Sequence, residues 1–242
     1  MEIDYTHKLK KKSTLIMLIL LIIIIVVLVL FQLFTSTKGA NKEVIIKEVV
    51  EKESKIEVSK NENIVIFGDS ITEIYPAEDI YGNLPIVNSG VSGYKTQDLL
   101  NNMEKMLYQY NPSKVILLIG TNDVLYDTSK ETQDKAIQNI QTIIEQIHDN
   151  RPKAKIYIES IYPVNKSLDT TFDFQSNNEV IKGMNVQIKQ ICEEENLTYI
   201  NMYDELTDEN GNLDSKYTYD GLHPNTLGYA KITRALLPYI YE

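Results

Sequence analysis

Cysteine occurs once in the 242 residues, at Cys192, and histidine three times, at His7, His148 and His223. A lone cysteine excludes an internal disulfide framework, and no Cys-x-x-Cys or Cys/His cluster offers a zinc site. The histidines are too scattered for an obvious metal site. Positive charge is scarce as well: 24 Lys and Arg against 34 Asp and Glu leave a net charge of −10. A nucleic-acid partner would call for a basic stripe, and this balance argues against one. Acidity by itself mostly reports solubility and names no substrate. The Gly-x-Ser-x-Gly elbow is also missing, so any serine chemistry here does not use the α/β-hydrolase arrangement.

Long hydrophobic runs are rare too, with one exception. Residues 15–34 form a run of twenty in which only Gln32 is polar, and nothing charged lies between Lys12 and Lys38. At about 1.5 Å per residue such a helix spans roughly 30 Å, the thickness of a bilayer's hydrocarbon core. A cleaved signal peptide would have a shorter apolar region and a small-residue cleavage site, and no Ala-x-Ala follows this run. No lipoprotein cysteine follows it either. An uncleaved transmembrane anchor is therefore expected at 15–34. Lys8, Lys10, Lys11 and Lys12 precede it, so the positive-inside rule puts residues 1–14 in the cytoplasm and the large domain outside. Residues 35–60 are expected to form a charged stalk. Glu43/Lys47, Lys47/Glu51, Glu48/Lys52 and Glu51/Lys55 are opposite-charge pairs at helical spacing within it. A composition rich in Ile, Lys and Asn suits a bacterium with an AT-rich genome.

Residues 61–242 alternate between two patterns. Short apolar runs at 64–67, 86–87, 115–119, 155–158 and 198–200 predict buried strands. Between them lie stretches of helical period. Leu99, Leu100, Met103, Met106, Leu107 and Tyr110 share one face, with Thr96 as cap and Asn111-Pro112 as stop. Ile137, Ile140, Ile144 and Ile147 mark a second helix ending before Pro152. Val180, Ile181, Met184, Ile188 and Ile191 mark a third, with Cys192 beside that stripe as a small core residue. Asn225 is expected to cap the last, which buries Tyr229, Ala230, Leu236 and Leu237. Strands alternating with helices predict an α/β fold with three α/β/α layers around a parallel five-stranded sheet. Ligands of such sheets bind beyond the carboxyl ends of the strands.

Four short segments stand out: Gly68-Asp69-Ser70-Ile71-Thr72, Asn88-Ser89-Gly90 and Gly120-Thr121-Asn122-Asp123, whose Ser70, Gly90 and Asn122 fall just past predicted strands and converge on that edge, and Asp220-Gly221-Leu222-His223-Pro224 in the last loop. Each alone is ordinary turn vocabulary. Together they supply a nucleophile, donors for an oxyanion, a base and an acid to orient the base, which is what acyl transfer through a serine requires. His223 is the histidine left to act as base. His7 falls on the far side of the anchor, and His148 sits in the last turn of a helix, where an imidazole meets the helix dipole favourably. Asp220, three residues before His223, can fix its tautomer. Asp69 and Asp123 neighbour the site, and loop hydrogen bonding accounts for them equally well.

In these segments the chain resembles the SGNH (GDSL) hydrolases, a broad family of serine esterases, lipases and carbohydrate deacetylases. Ser70, Gly90, Asn122 and His223 match the four letters one by one, and Asp220 matches the acidic partner. Ile71 replaces the leucine of the GDSL name, a swap of similar volume. The likeness covers roughly residues 61–242. It implies a flavodoxin-like sheet, a Ser70–His223–Asp220 triad, and an oxyanion hole built from the Ser70 and Gly90 amides and the Asn122 side chain. No cofactor and no metal are implied.

The resemblance says less about which ester is cleaved. Small acyl groups, acetyl above all, on envelope or extracellular polysaccharide are the expected substrate. An external site suits that substrate, and Tyr75, Tyr94, Tyr126, Tyr162 and Tyr219 fall in candidate site-lining loops where rings can stack on sugars. A lipase or lysophospholipase, an O-acyltransferase with the same triad, and a catalytically silent binding module stay open as alternatives. Segment 160–177, with Tyr162, Phe172 and Phe174, is long and irregular, and its role is open. Asn210-Gly211 predicts a tight turn and not a calcium loop, because the glycine is misplaced for that order.

Overall fold

The computed structural model describes residues 63–82, 84–169 and 171–242. The expected cytoplasmic segment 1–14, anchor 15–34 and stalk 35–60 lie outside the described residues. Among the described residues no helix is long and apolar enough to cross a membrane.

The five apolar runs become five strands, β1 (Asn63–Gly68), β2 (Ile86–Gly90), β3 (Pro112–Leu118), β4 (Lys155–Glu159) and β5 (Thr198–Ile200). They form one sheet in the order β2-β1-β3-β4-β5. Every neighbouring pair is parallel. Such strands are covered on both faces and need no polar alternation. Ile64, Val65, Ile66 and Phe67 accordingly are all buried. The helices are α1 (Ser70–Ile74), α2 (Ala77–Tyr81), α3 (Thr96–Asn101), α4 (Met103–Met106), α5 (Thr121–Val124), α6 (Lys130–Asn150), α7 (Asn178–Glu194), α8 (Met202–Leu206) and α9 (Thr226–Tyr241).

Successive side chains of a strand point to opposite faces. One face presents Val65, Phe67, Val115, Leu117, Ile156 and Ile158, which join Leu99, Met103, Ile140, Ile144, Ile181 and Ile188 in a single core. Each such side chain contributes roughly 1.5–3 kcal/mol when fully buried. The opposite face meets α9, where the Tyr157 and Tyr239 rings lie 5.4 Å apart. Helices thus cover both sides of the sheet.

Several boundaries differ from expectation. The helix predicted from Thr96 to Tyr110 is broken into α3, α4 and a 3-10 turn at Tyr108–Tyr110. At the break, the Asn102 side chain donates to the Asp98 carbonyl at 2.8 Å, a local bond that competes with the helix ladder. Thr96 is the first helical residue and not the cap; the preceding Lys95 N–H is held by the Asp98 carboxylate at 2.9 Å. β2 continues through Asn88-Ser89 to Gly90, so Gly90 ends the strand and does not follow it. Asn225 caps α9, accepting from the Leu227 and Gly228 N–H groups at 2.9 and 3.1 Å. Tyr229 and Leu236 are buried as expected, Ala230 and Leu237 are only half-buried, and Ile232, Thr233 and Ile240 join the buried face instead. Gly211 turns the chain at φ 81°, between the bridged residues Thr207 and Leu213.

Candidate active site

The strand order reverses at β1, which has β2 on one side and β3 on the other. Loops leaving β1 and β3 diverge there and open a crevice at the carboxyl edge of the sheet. Ser70 follows β1 as the first residue of α1, and Asn122 follows β3 in the first turn of α5. The Asp69 carboxylate accepts the Ile71 N–H at 3.0 Å and so caps α1.

Two residues 153 apart in sequence meet here: Ser70 Oγ lies 3.0 Å from His223 Nε2. On the far side of the ring, His223 Nδ1 lies 2.8 Å from Asp220 Oδ2. The other carboxylate oxygen accepts the backbone N–H groups of Leu222 and His223 at 2.9 and 2.8 Å. Burial works to raise the Asp220 carboxyl, but the bonds from the His223 ring and these two amides outweigh it, so the group sits below its usual range. An ionised carboxylate only accepts, which puts the imidazole proton on Nδ1 and leaves Nε2 to take the serine's proton.

The histidine loop is held from several sides. Thr218 Oγ1 donates to the His223 carbonyl at 2.8 Å and accepts the Gly221 N–H at 3.0 Å. Gly221 has φ 80°. A Cβ there would stand 2.1 Å from the Asn165 carbonyl oxygen. Only glycine allows that approach, because it has neither the side chain nor the φ restriction. The Asn165 N–H in turn donates to the Gly221 carbonyl at 2.7 Å.

Segment 160–177 is therefore a wall of the site. The Asp169 carboxylate gathers the N–H groups of Thr171, Phe172 and Phe174 at 3.1, 2.8 and 2.9 Å. The Phe172 ring then stands edge-on to the His223 ring, with centroids 5.6 Å apart. Ser70 and His223 open onto a cleft of about 340 Å³. Ser92, Gly93, Lys95 and Asn122 line it, as do the more apolar Leu125, Tyr126, Phe172 and Leu222. Sequence reasoning did not single out Leu125, Ser92 or Lys95, and it quoted Leu222 only as part of the His223 segment. Nearness to the four segments was the available signal.

Of the expected oxyanion donors, Ser70 and Asn122 line this cleft, whereas Gly90 lines a separate groove with Glu73, Tyr75 and Asn88; two of the three donors are already engaged. Asn122 Nδ2 donates to the Tyr94 carbonyl at 3.0 Å, which leaves its second hydrogen. The Gly90 N–H donates to Asn88 Oδ1 at 3.1 Å. Asp123 accepts the Thr96 N–H and hydroxyl at 3.0 and 2.6 Å, tying α5 to α3.

Of the five expected site tyrosines, Tyr75 and Tyr162 are buried and do not line the cleft. Tyr75 bonds the Tyr81 and Thr233 hydroxyls at 2.7 and 2.9 Å. Tyr162 donates to Glu159 at 2.6 Å. Tyr126 lines the cleft and is 58% exposed, and Tyr219, beside Asp220, is 73% exposed. Beneath the site, burial pushes the carboxyls of Asp69 and Glu159 up to about 7. Burial also pushes the Cys192 thiol up to about 11, in keeping with a packed core residue. His148 lies in the last turn of α6.

The family model described as the GDSL-like Lipase/Acylhydrolase family matches residues 66–231. A protein from Streptococcus pneumonia, whose description names platelet activating factor, is similar in sequence and structure. It is 31% identical with a TM-score of 0.69, covering 87% of this chain and 97% of that one. Axe2, an acetylxylan esterase from Geobacillus stearothermophilus, has a similar fold. It is 22% identical with a TM-score of 0.58, covering 74% of this chain and 94% of that one. The N-acylneuraminate cytidylyltransferase of Escherichia coli O18:K1:H7 is 25% identical over 178 residues. That match takes in 73% of this chain but only 40% of the cytidylyltransferase.

Proposed function

The chain belongs to the GDSL-like lipase/acylhydrolase family and is an ester hydrolase; from that premise we propose a serine esterase that removes small acyl groups, acetyl above all, from carbohydrate. The observation that carries the mechanism is the continuous chain from Ser70 Oγ to His223 at 3.0 Å and from His223 to Asp220 at 2.8 Å. Ser70 Oγ attacks the ester carbonyl carbon as its proton passes to His223 Nε2. Asp220 holds the imidazolium in place. The carbonyl oxygen, now negative, is stabilised by the Ser70 and Gly90 amides and the free hydrogen of Asn122. When the C–O bond of the leaving alcohol breaks, Nε2 returns the proton to it. Water then repeats the sequence on the acyl-enzyme and releases the acid.

The choice of acyl group rests on the cleft. Ser92, Lys95 and Asn122 bring polar groups to it beside Ser70, and these suit a hydroxyl-rich leaving group carrying a short acyl chain. Tyr126 and Tyr219, both exposed, offer flat rings to a sugar. The similar fold of an acetylxylan esterase supports the same reading. Residues 15–34 supply the membrane anchor in this reading and hold the site outside the cell, within reach of envelope polysaccharide.

A series of p-nitrophenyl esters from acetyl to octanoyl, run beside acetylated glycans, tests the substrate. Acetyl is expected to be cleaved best, with acetate released from the polymer. Each extra buried CH₂ contributes roughly 0.8 kcal/mol where an apolar pocket exists. A rate rising steadily from acetyl to octanoyl would overturn the carbohydrate reading in favour of a lipase.

A further inference from the structure

The backbone approach at Gly90 is too close for any other residue. A Cβ on Gly90 would stand 2.1 Å from the Glu73 nitrogen and 2.6 Å from the Thr72 carbonyl carbon. The end of β2 is therefore pressed against α1, the helix that carries Ser70. What holds them at that distance is a pair of side chains, one from each element.

Asn88 acts from the β2 side. Its Nδ2 donates to the Thr72 and Tyr75 carbonyls at 2.7 and 2.9 Å. A third carbonyl, of Glu73, is 3.4 Å away. Both amide hydrogens are thus committed to α1 and its end. Rotating the carboxamide would break two good bonds, so Oδ1 is fixed as well. It accepts the Gly90 N–H at 3.1 Å.

Glu73 acts from the α1 side. Its Oε2 accepts the Ser92 N–H at 3.0 Å and also the Ser92 hydroxyl. Gly90 lies between these two ties. A further tie runs from the Val91 N–H to the Gly68 carbonyl at 3.1 Å, which again joins the loop to the nucleophile's strand.

We propose that Asn88 and Glu73 are positioning residues, a two-sided clamp that sets the distance between the Ser70 and Gly90 amides of the oxyanion hole. The inference rests on the reading of Gly90 as an oxyanion donor. Asn88 Oδ1 gives the Gly90 proton a partner at rest, through a bond somewhat longer than the usual 2.9–3.0 Å or so. A charged oxygen is a stronger acceptor than an amide carbonyl, so the proton is shared toward the oxyanion as it forms. The clamp therefore acts on the transition state and leaves substrate binding alone.

The test uses the full chain and p-nitrophenyl acetate, with Asn88→Ala, Glu73→Ala, Glu73→Gln and Ser70→Ala compared with wild type. Asn88→Ala should lower kcat by about 10- to 100-fold, the scale of a misplacement of about 1 Å, with KM changed by less than about twofold. Glu73→Ala should lower kcat several-fold at unchanged melting temperature. Glu73→Gln keeps an acceptor for Ser92 and should restore kcat. Because Glu73 is exposed, its variants decide the matter even if Asn88→Ala fails to fold. Wild-type kcat in Glu73→Ala, a loss confined to KM, or no rescue by Glu73→Gln would overturn the clamp while Ser70→Ala stays inactive. Full activity in Ser70→Ala would instead remove the serine mechanism on which the clamp depends.

Discussion

As the proposed nucleophile, Ser70 is weak while a free hydroxyl, and the imidazole 3.0 Å away is the group placed to take its proton. Residues of a different kind set how the molecule responds to pH. Burial raises the Asp69 and Glu159 carboxyls to about 7, against roughly 4 in an unfolded chain. Between about pH 4 and 7 the folded state thus binds more protons than the unfolded one, and stability falls as pH rises through that window. Glu159→Gln keeps an acceptor for the Tyr162 hydroxyl and removes the titration. It should melt above wild type at pH 8, by about 2–4 °C for each kcal/mol recovered, with the gain shrinking toward pH 5. Thermal melts of both proteins across that range check this, and a pH-independent difference would contradict it. Ser70, His223 and Asp220 were legible in sequence because each sits in a short segment beside a strand or inside one tight loop. Asn88 was quoted only as a neighbour of Gly90, and Glu73 not at all. Asparagine in a turn and glutamate on an exposed helix are common, and their meaning lies in contacts with Gly90 and Ser92 that only folding creates. The burial of Tyr75 and Tyr162 was hidden for the same reason.

Elements were readable where burial is uniform and less so where local bonds compete. An apolar run such as Ile64-Val65-Ile66-Phe67 has little choice but a covered strand. The ends are set by neighbours instead: β2 extends to Gly90 because its register with β1 continues to Gly68↔Gly90. Hydrophobic spacing alone ran α3 and α4 together, since the Asn102 side chain that breaks them leaves the apolar face intact. Short α5, which holds Asn122, has too few residues to show a period. Segment 160–177 carries no periodicity, yet its structure follows from one carboxylate, Asp169, collecting three amides. That loop contributes Phe172 to the lining of the cleft. Phe172→Ala should enlarge the apolar side and raise the octanoyl-to-acetyl rate ratio, while leaving Ser70 and His223 in place. An unchanged ratio in the ester series would show that the loop does not limit chain length.

At the scale of the whole molecule, a five-stranded parallel sheet brings segments from the beginning, middle and end of residues 63–242 to one edge. The strand reversal at β1 makes the crevice, and the proposed ester chemistry is lodged there. One measurement reaches both the mechanism and its placement: a membrane-impermeant fluorophosphonate applied to intact cells, followed by peptide mapping of the full chain. The expected result is covalent label on Ser70, lost in His223→Ala. Label that appears only after lysis would reverse the proposed orientation. Ester hydrolysis that continues undiminished with Ser70 unlabelled, even after lysis, would contradict the serine mechanism itself.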